Sequence, residues 1–477
     1  MGDFLMRLKI GNIGKIGYAD ILIDGLTMIA GVNNTGKSTV GKALFCLYHG
    51  LNRWDDEYVS ECAGYVSDIV VKAMSGLDSI IGSENNPPRS SVMDLIKDFF
   101  SQPEVIREIA DDQRKARTTG GVVSSGHPMM QELDNFIERY ALFFRGDNVA
   151  AVIADKSDEV DDWKRRLVYK LRDEQGLFEE FLQADYIERN FNRYFNGQYR
   201  SLDTLDEPCY CIIDEGNDFF RIDLADAGSR MNEVFHTGAR IYYIDSSVVY
   251  DRMAILGNPV RGNRPTELMD NILVPNLELM FGDKDVGDIP YYEKRAKWSQ
   301  ETVTKVDGLL KDIRVLIGGA SDWSNDTFKF TETNGGGAAI QPHNVSMGIK
   351  HLAFLEYVLR HRLINPGDIL VMDEPEINMH PDWQLEYAKA LVLLEKEMGV
   401  RILITTHSPF FIRAVECYTD YYDTMGRLNI YRSGLDETGK AVFDNVMESE
   451  WGTPMLYEDY ARQYKMLQKI VDEKERL

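Results

Sequence analysis

The sequence predicts an α/β fold: a mixed sheet with an antiparallel β subdomain, interrupted by a mainly helical insertion. Three observations predict it. A glycine-rich segment near residue 31 lies between an apolar strand and a helix. A second apolar strand near residue 373 ends in carboxylates. Between them, residues 52–200 carry apolar residues at helical spacing, while strand patterns return after residue 200.

The glycine-rich segment is Gly31–Thr39, GVNNTGKST, which is a complete G-x-x-x-x-G-K-S pattern. An apolar run at Leu26–Ala30 precedes it, and good helix formers follow at 42–45. Gly31 and Gly36 allow the backbone to turn its N–H groups towards phosphate oxygens. A chance glycine-rich turn is disfavoured because the motif is complete and lies between a strand and a helix. The segment therefore predicts a phosphate-binding loop.

The side chains of this loop have distinct expected roles. Lys37 reaches the β- and γ-phosphates, Ser38 offers its hydroxyl to Mg²⁺, and Thr39 bonds the α-phosphate. Asn34 occupies a position where a left-handed backbone is needed, which Asn tolerates. The predicted ATP-binding residues of the loop are Asn33, Asn34, Thr35, Gly36, Lys37, Ser38 and Thr39.

Composition limits the class of protein. The chain has 477 residues, enough for two or three domains, and 27% of them are charged. No apolar stretch is long enough to span a bilayer and no signal-peptide pattern is present, so a cytoplasmic protein without membrane partners is expected. Five cysteines are scattered, and Cys209 with Cys211 is expected to be core packing on one strand face rather than half of a zinc site.

The formal net charge is −24, which excludes a uniformly basic nucleic-acid-binding surface. The best local basic cluster is Lys164-Arg165-Arg166 with Lys170 and Arg172. Acidic neighbours balance it, so a solvated helix face is the favoured interpretation. DNA as a partner therefore remains open, without support from charge.

Four segments follow from the patterns along the chain. Three short strands are expected before the loop, at Leu5–Ile10, Ala19–Ile23 and Leu26–Ala30. The predicted segments are residues 1–51, the N-terminal part of the α/β domain; 52–200, the helical insertion; 201–320, a mixed strand and helix region; and 321–477, the C-terminal part of the α/β domain. In the last two segments we expect strands at 209–213, 219–222 and 240–244, a loop-rich or short-helix region at 250–282, a helix at 291–317 and a hairpin at Thr327–Glu332 and Ala338–Gln341.

The second half of the expected nucleotide site is the run Asp368–Glu376, DILVMDEPE. Burial explains its apolar part but not two acids at its end. Asp373 is placed to hold Mg²⁺ through water, and Glu374 to polarise an attacking water as general base. Pro375 ends the strand and so fixes both carboxylates near its tip.

Two further segments accompany this strand. Arg401–Thr406 is another buried strand, which ends at His407, and the amphipathic segment Trp383–Glu397 gives a strand-helix-strand unit. Upstream, a helix opens after Ser346, which is suited to cap it, and Gly348 permits close approach. The S-x-G pattern alone is weak.

Together, these motifs resemble a cassette-type P-loop ATPase head of the SMC/RecF/OLD branch. The motif sequences are most similar to those of OLD-like ATPases; they are GVNNTGKST, DEPEINMHP and TTHSP. OLD-like ATPases include the ATPase subunits of the Septu and PARIS anti-phage systems. The resemblance covers roughly residues 1–50 and 320–415, and the insertion carries no matching motif.

The resemblance implies that two heads sandwich two ATP molecules with Mg²⁺. It implies that His407 senses the γ-phosphate and acts with Glu374 in catalysis, while Ser346 and Gly348 reach the ATP of the partner head. The signature reads Val-Ser-Met-Gly-Ile rather than Leu-Ser-Gly-Gly-Gln, and no clear Q-loop glutamine is found; the strand ending at Asp245-Ser246 is the weak candidate for that region. Positions equivalent to a D-loop crossing the dimer interface are Glu376, Asn378 and His380.

OLD nucleases carry a Toprim nuclease domain after the head. Only about seventy residues follow His407 here. They show no strand ending in a D-x-D pair, and Ala461–Arg476 is expected to form a terminal helix. We therefore expect an ATP-hydrolysing sensor or regulatory subunit of an anti-phage system, forming head-to-head dimers or larger oligomers and controlling a separate effector, a nuclease or toxin. The alternatives are a RecF-like DNA-repair ATPase that binds DNA directly, a transporter nucleotide-binding subunit and a P-loop kinase. The last two fit the insertion and the combined motifs poorly.

Overall fold

The computed structural model describes residues 5–472 with gaps. The residues it leaves undescribed within that range are 53, 82–87, 120–121, 125, 145–147, 175–178, 203–206, 217, 226–227, 233–234, 236, 238, 245–297, 325–326, 334–336, 338, 361, 363, 450–451, 455, 458–460, 462–464, 467 and 470–471. The predicted loop-rich region 250–282, the Asp245-Ser246 segment and most of an expected terminal helix at 461–476 lie outside the described residues.

The chain forms two compact units. One consists of Met1–His49, Arg189–Ala225 and His236–Leu477, and the other of Gly50–Glu188 with Asp226–Phe235. The strands are β1 (Met6–Ile13), β2 (Ile16–Leu22), β3 (Leu26–Gly31), β4 (Cys209–Glu215), β5 (Asp218–Leu224), β6 (Arg230–Met231), β7 (Ile241–Ile244), β8 (Gly319–Ser324), β9 (Thr327–Glu332), β10 (Ala339–Ile340), β11 (Ile369–Asp373), β12 (Arg401–Thr406), β13 (Leu428–Leu435) and β14 (Ala441–Asn445). The helices are α1 (Lys37–Asn52), α2 (Trp54–Ile81), α3 (Arg89–Phe100), α4 (Pro103–Thr119), α5 (Pro128–Phe144), α6 (Asn148–Asp155), α7 (Ser157–Asp173), α8 (Glu179–Tyr194), α9 (Gln300–Ile317), α10 (Met347–Arg360), α11 (Pro381–Met398) and α12 (Pro409–Tyr421).

The first unit is built on a large mixed sheet. Its strands lie in the order β5-β4-β1-β2-β14-β13-β3-β12-β11-β7. The run β13-β3-β12-β11-β7 is parallel, whereas β5, β4, β1 and β2 pair antiparallel. The parallel strands are nearly all buried, as expected for strands covered on both faces. The predicted α/β fold class, with its mixed sheet and antiparallel part, is confirmed.

The parallel part of the sheet fixes where a site can form. Strand β3 pairs with β12 in the register Ile29 to Thr405, and β11 pairs with β12 in the register Asp373 to Thr405. The carboxyl ends of these three strands therefore meet at one edge. In open α/β sheets ligands bind at that edge, and the phosphate loop leaves β3 there.

Helices α9–α12 and a second, three-stranded antiparallel sheet, ordered β10-β9-β8, complete this unit. The predicted hairpin around residue 335 corresponds to β9 and β10, while β8 was not predicted. A continuous core joins the helices to the large sheet, with Leu352, Leu391 and Ile404 fully buried. Burial of this apolar surface is the main stabilising term for the unit.

The second unit is mainly helical. Helices α2–α7 enclose a core in which Phe99, Phe100 and Phe136 have their ring centroids 5.1 to 5.5 Å apart. The basic cluster on α7 differs from the expected solvated face. Lys164 is buried and bonds Asp134, and Arg172 is buried in a bidentate pair with Asp112. These two cations stabilise the interior of the unit and are not free for nucleic acid.

Within the described residues, every helix is too short or too polar to cross a lipid bilayer. Cys209 and Cys211 are both buried on β4, as expected for core packing. The described residues contain no group of three or more His, Cys, Asp or Glu side chains placed to hold a metal ion on their own.

Candidate functional site

The phosphate loop leaves the end of β3 and enters α1 at Lys37. Three of its residues have positive φ: Gly31 at 151°, Asn34 at 67° and Gly36 at 77°. A residue with a Cβ rarely adopts such angles, which explains the glycines, and Asn is among the residues that tolerate the left-handed region. Asn33 and Asn34 are exposed at the tip of the loop, and Thr35 is buried beneath it.

Lys37 folds back over the loop, where its Nζ donates to the carbonyl oxygen of Val32 at 2.8 Å. The side chain is buried, and desolvation lowers the pKa of its amine, while the carboxylates of Glu374, Asp373 and Glu376 raise it. These three carboxylates come from the second half of the chain. The amine therefore lies in the field of the acids that end β11.

Asp373 at the tip of β11 is tied to both neighbouring segments. Its Oδ1 accepts from the Ser38 hydroxyl at 2.9 Å, although the two residues are 335 positions apart in sequence. The Thr405 hydroxyl of β12 also donates to Oδ1, and the Tyr243 hydroxyl lies 3.5 Å from Oδ2. The two residues predicted to hold Mg²⁺ are thus in direct contact. Hydroxyl and carboxylate oxygens are the ligands Mg²⁺ prefers, and it completes its shell with phosphate and water, so the residues present fit this ion.

Glu374 follows in a left-handed conformation with φ of 49°, which is uncommon for a residue with a long side chain. Its backbone N–H donates to the Thr405 carbonyl at 3.0 Å, holding the turn against the end of β12. Its Oε1 lies 2.7 Å from His407 Nε2, a close contact between the carboxylate and the imidazole. The two side chains are only partly buried, although the Nε2 atom itself is buried.

His407 ends β12 beside these carboxylates. Burial lowers the pKa of its imidazole, and the positive charge of Lys37 lowers it further, while Glu374 raises it. The imidazole is therefore biased towards its neutral form, in which one nitrogen donates and the other accepts. That form suits a contact with a phosphate oxygen or with a proton in transit.

The side chain of Glu376, one of the three positions equivalent to a D-loop, is used inside the subunit. It is 4% exposed, and its carboxylate points to the end of β12. Only the residues after it face outward, with Ile377 47% exposed and Asn378 and His380 also exposed. The expectation that these positions cross a dimer interface stays a prediction, and it rests on the exposed Asn378 and His380.

Ser433 on β13 supports the phosphate loop from the other side. Its hydroxyl donates to the Ala30 carbonyl at 3.1 Å and lies 2.7 Å from the Thr35 hydroxyl. Thr35 in turn donates to the Val32 carbonyl at 2.8 Å. A Cβ at Gly31 would come within 2.4 Å of the Ser433 carbonyl oxygen, so the loop can pass this strand only as glycine. Neither Ser433 nor Thr405 was predicted from the sequence.

Ser346 and Gly348 lie apart from this cluster in the chain, at the start of α10. Ser346 is exposed directly before the helix, and a Cβ on Gly348 would lie 3.5 Å from the Trp383 ring. One turn further on, the imidazole of His351 is hydrogen-bonded to the backbone of Pro375. The start of this helix is thereby joined to the segment that follows Asp373. Thr39 lies in the first turn of α1, where its methyl group would meet a Cβ on Gly14.

The comparison with family models gives a match over residues 154–413, more than half of the chain, to the family described as "AAA domain, putative AbiEii toxin, Type IV TA system". The chain belongs to this family. As a member of this AAA-domain family it is an ATPase-type protein, and the matched range includes Asp373, Glu374 and His407. The phosphate loop lies upstream of the matched range. A search of curated proteins gave no match.

Solved structures with a similar fold are heads of SMC proteins. The SMC head domain from Thermotoga maritima is 9% identical with a TM-score of 0.36, covering 93% of this chain and 99% of that chain. An SMC head bound to the C-winged helix domain of ScpA is 10% identical with a TM-score of 0.37, covering 93% of this chain and 98% of that chain. An SMC head with a coiled coil and joint from Pyrococcus yayanosii is 11% identical with a TM-score of 0.34, covering 96% of this chain and 99% of that chain. The likeness is one of general architecture.

Proposed function

We propose that this chain binds ATP with Mg²⁺, hydrolyses it, and acts as the regulatory subunit of a bacterial anti-phage complex. The observation that carries the proposal is the contact between Ser38 and Asp373, with Glu374 and His407 beside it. A nucleotide-binding loop and a carboxylate-ended strand, distant in sequence, form one cluster there. A fold alone would not require these residue types to meet.

The cluster supports each step of hydrolysis. Backbone N–H groups of the loop and Lys37 bind the phosphates. Ser38 and Asp373 would hold Mg²⁺, which neutralises phosphate charge when bound. Glu374 then accepts a proton from the water that attacks the γ-phosphorus, and the neutral imidazole of His407 donates to a γ-phosphate oxygen. Because both side chains are partly exposed, a second protein surface is needed to exclude bulk water.

A second copy of this chain is the proposed surface. Ser346 and Gly348 open α10, and a helix N-terminus presents free N–H groups suited to a γ-phosphate. If two heads meet with ATP between them, ATP stabilises the dimer and hydrolysis releases it. This change of assembly is the proposed signal to a separate effector, a nuclease or toxin. The family description names a toxin–antitoxin system, which is compatible with a function that involves a second protein.

The first test measures ATP hydrolysis and assembly. Lys37→Ala is expected to weaken ATP binding itself, since it removes the charge that faces the phosphates. Glu374→Gln is expected to lower kcat about 100-fold or more while retaining ATP, and to accumulate dimers in light scattering. The matched control is Lys396→Ala, a lysine on α11 outside the cluster. Hydrolysis by Glu374→Gln at the parental rate would refute its role as base.

The second test addresses the effector. The chain is co-purified with the product of the neighbouring gene, and phage restriction is measured with and without each protein. Binding that depends on ATP and is lost in Lys37→Ala is expected. An absence of binding together with unchanged restriction would refute the regulatory role while leaving ATP hydrolysis intact. Salt-sensitive, ATP-dependent DNA binding without any effector would instead favour the RecF-like alternative.

A further inference from the structure

Glu376 is a buried carboxylate with a specific pair of donors. Its Oε1 accepts a hydrogen bond from the Thr406 hydroxyl and one from the His407 backbone N–H at 3.2 Å. The other oxygen, Oε2, has no hydrogen-bond partner among the described residues. Burial raises the pKa of the carboxyl group, and the hydrogen bonds from Thr406 and His407 lower it. Both donors lie at the end of β12, so the side chain connects the segment after β11 to the residues that end the next strand.

Burying Glu376 for this connection costs folding free energy, which is hard to explain if the connection only stabilises a turn. Burying a carboxylate is unfavourable, and an apolar side chain of similar size often stabilises a fold as well or better. The neighbouring Ile377 and Asn378 are exposed, so the segment itself has access to water. The buried orientation of Glu376 therefore calls for a local explanation.

The two hydrogen bonds reach the backbone that carries His407. The side chain of His407 is 29% exposed and can rotate, whereas the backbone N–H of the same residue is held by Glu376. On the other side of the same turn, the Glu374 backbone is held by the Thr405 carbonyl at 3.0 Å. The strand-end residues Glu374 and His407 are thus fixed relative to each other by reciprocal bonds between two segments. Their side chains then meet at 2.7 Å.

We propose that Glu376 is a positioning residue for His407, holding its backbone so that the imidazole reaches both Glu374 and the γ-phosphate. The inference rests on the proposed ATP hydrolysis. Glu376 acts through His407, and its carboxylate is not a group that touches the reacting atoms. A misplacement of about 1 Å at a catalytic group lowers turnover about 100-fold, so loss of this support is visible in kcat.

The test compares two substitutions of Glu376. Glu376→Leu fills the site with an apolar side chain and removes Oε1, the acceptor of both hydrogen bonds; kcat is expected to fall about 10- to 100-fold, with the ADP Kd changed less than about 3-fold. The melting temperature is expected to change little, because the relief of removing a buried carboxylate is offset by the cost of leaving the Thr406 hydroxyl and the His407 N–H without an acceptor. Glu376→Gln keeps one oxygen that can accept both bonds, and it is expected to recover most of the lost rate. A fall in melting temperature with unchanged kcat would show a structural role only and overturn the proposal.

A double-mutant cycle with His407→Ala decides the route of the effect. If Glu376 acts through His407, Glu376→Leu changes the rate little once the imidazole is absent. An equal fold-loss in both backgrounds would overturn the proposal, because Glu376 would then act on its own. The control is Glu395→Leu, which removes another buried carboxylate, one paired with Arg427, and is expected to leave the cycle unaffected. If the parental protein hydrolysed no ATP, the proposed function would fail first, and this role with it.

Discussion

The hydroxyl of Ser433 offers a direct measure of how far the phosphate loop is shaped in advance. Ser433 is 4% exposed, and its Oγ lies within hydrogen-bonding distance of Thr35 Oγ1 and the Ala30 carbonyl. Ser433→Ala removes one oxygen and leaves the strand in place, since alanine fits the space. Thr35 keeps its bond to the Val32 carbonyl, so the loop is loosened and not detached.

The expected size follows from these contacts. Ser433→Ala removes both contacts of the hydroxyl, to Thr35 and to Ala30, but the hydroxyl has only one proton to donate. A buried hydrogen bond contributes about 0.5–1.5 kcal/mol net, so a loss of about 1 kcal/mol is expected. If the loop must regain its shape to bind phosphate, this loss appears as an affinity about 5-fold weaker. The free energy of unfolding falls by a similar amount, because the serine oxygen is bonded in the nucleotide-free protein too.

The assay is calorimetric titration with ADP, which avoids turnover, alongside urea unfolding. The control is Ser67→Ala in the helical unit, since the Ser67 hydroxyl is buried and has no hydrogen-bond partner among the described residues. That change is expected to alter neither quantity by more than a few tenths of a kcal/mol. An unchanged ADP affinity combined with lowered stability would refute the claim that Ser433 shapes the loop. No change in either would refute the hydrogen-bond argument itself.

Further predictions concern stability. Gly41→Ala places a Cβ 2.8 Å from Val371, so despite the better helix propensity of alanine it is expected to lower the free energy of unfolding by about 1–2 kcal/mol in urea titrations; Gly64→Ala, with nothing within 4 Å, should instead raise it by about 0.5–1 kcal/mol. Burial lowers the pKa of His351 to about 4. Above pH 6.5 the residue is neutral in both the folded and the unfolded state, so it does not lower the free energy of unfolding. As the pH falls towards 4, that free energy decreases by about 3 kcal/mol. Burial raises the pKa of Asp368 to about 6, so the same fall in pH restores a similar amount by neutralising that carboxylate. Unfolding titrations between pH 7 and 4.5 should therefore show Asp368→Asn becoming steeply acid-sensitive and His351→Phe becoming more stable towards acid; parallel curves for both would contradict the assigned pKa directions.

The sequence predicted the site best where chemistry restricts the residue types. The loop around Lys37 and the tip at Asp373 were identified because their glycines, cation and carboxylates are needed at fixed spacing. Strand bounds differed by a few residues, as in β1, which continues to Ile13 where the pattern indicated an end at Ile10. Such ends depend on pairing partners that a linear pattern does not contain.

Long-range partners account for what was missed. Thr405 lies in a strand that the sequence predicted, and Ser433 lies in β13, which it did not predict. Only the sheet order brings Ser433 beside the loop and Thr405 beside Asp373. The burial of Glu376 was not predicted, because the direction of a side chain after a strand end is set by tertiary contacts. The pairing of Arg172 with Asp112 likewise joins helices that are separate in sequence. The sequence did contain one indication that Glu376 is buried, because this residue comes directly after a buried strand and Pro375.

The order of the parallel strands also has a consequence for biosynthesis. Strand β3, which carries the phosphate loop, lies between β12 and β13, and both are encoded about 370 or more residues later. A chain growing on the ribosome therefore contains its nucleotide loop early but lacks both neighbours of that strand until residues 401–435 have been made. Contacts of such sequence separation form slowly. Nascent chains arrested before residue 435 should consequently emerge unable to retain nucleotide, so the activity becomes available only after both of these strands have been synthesised.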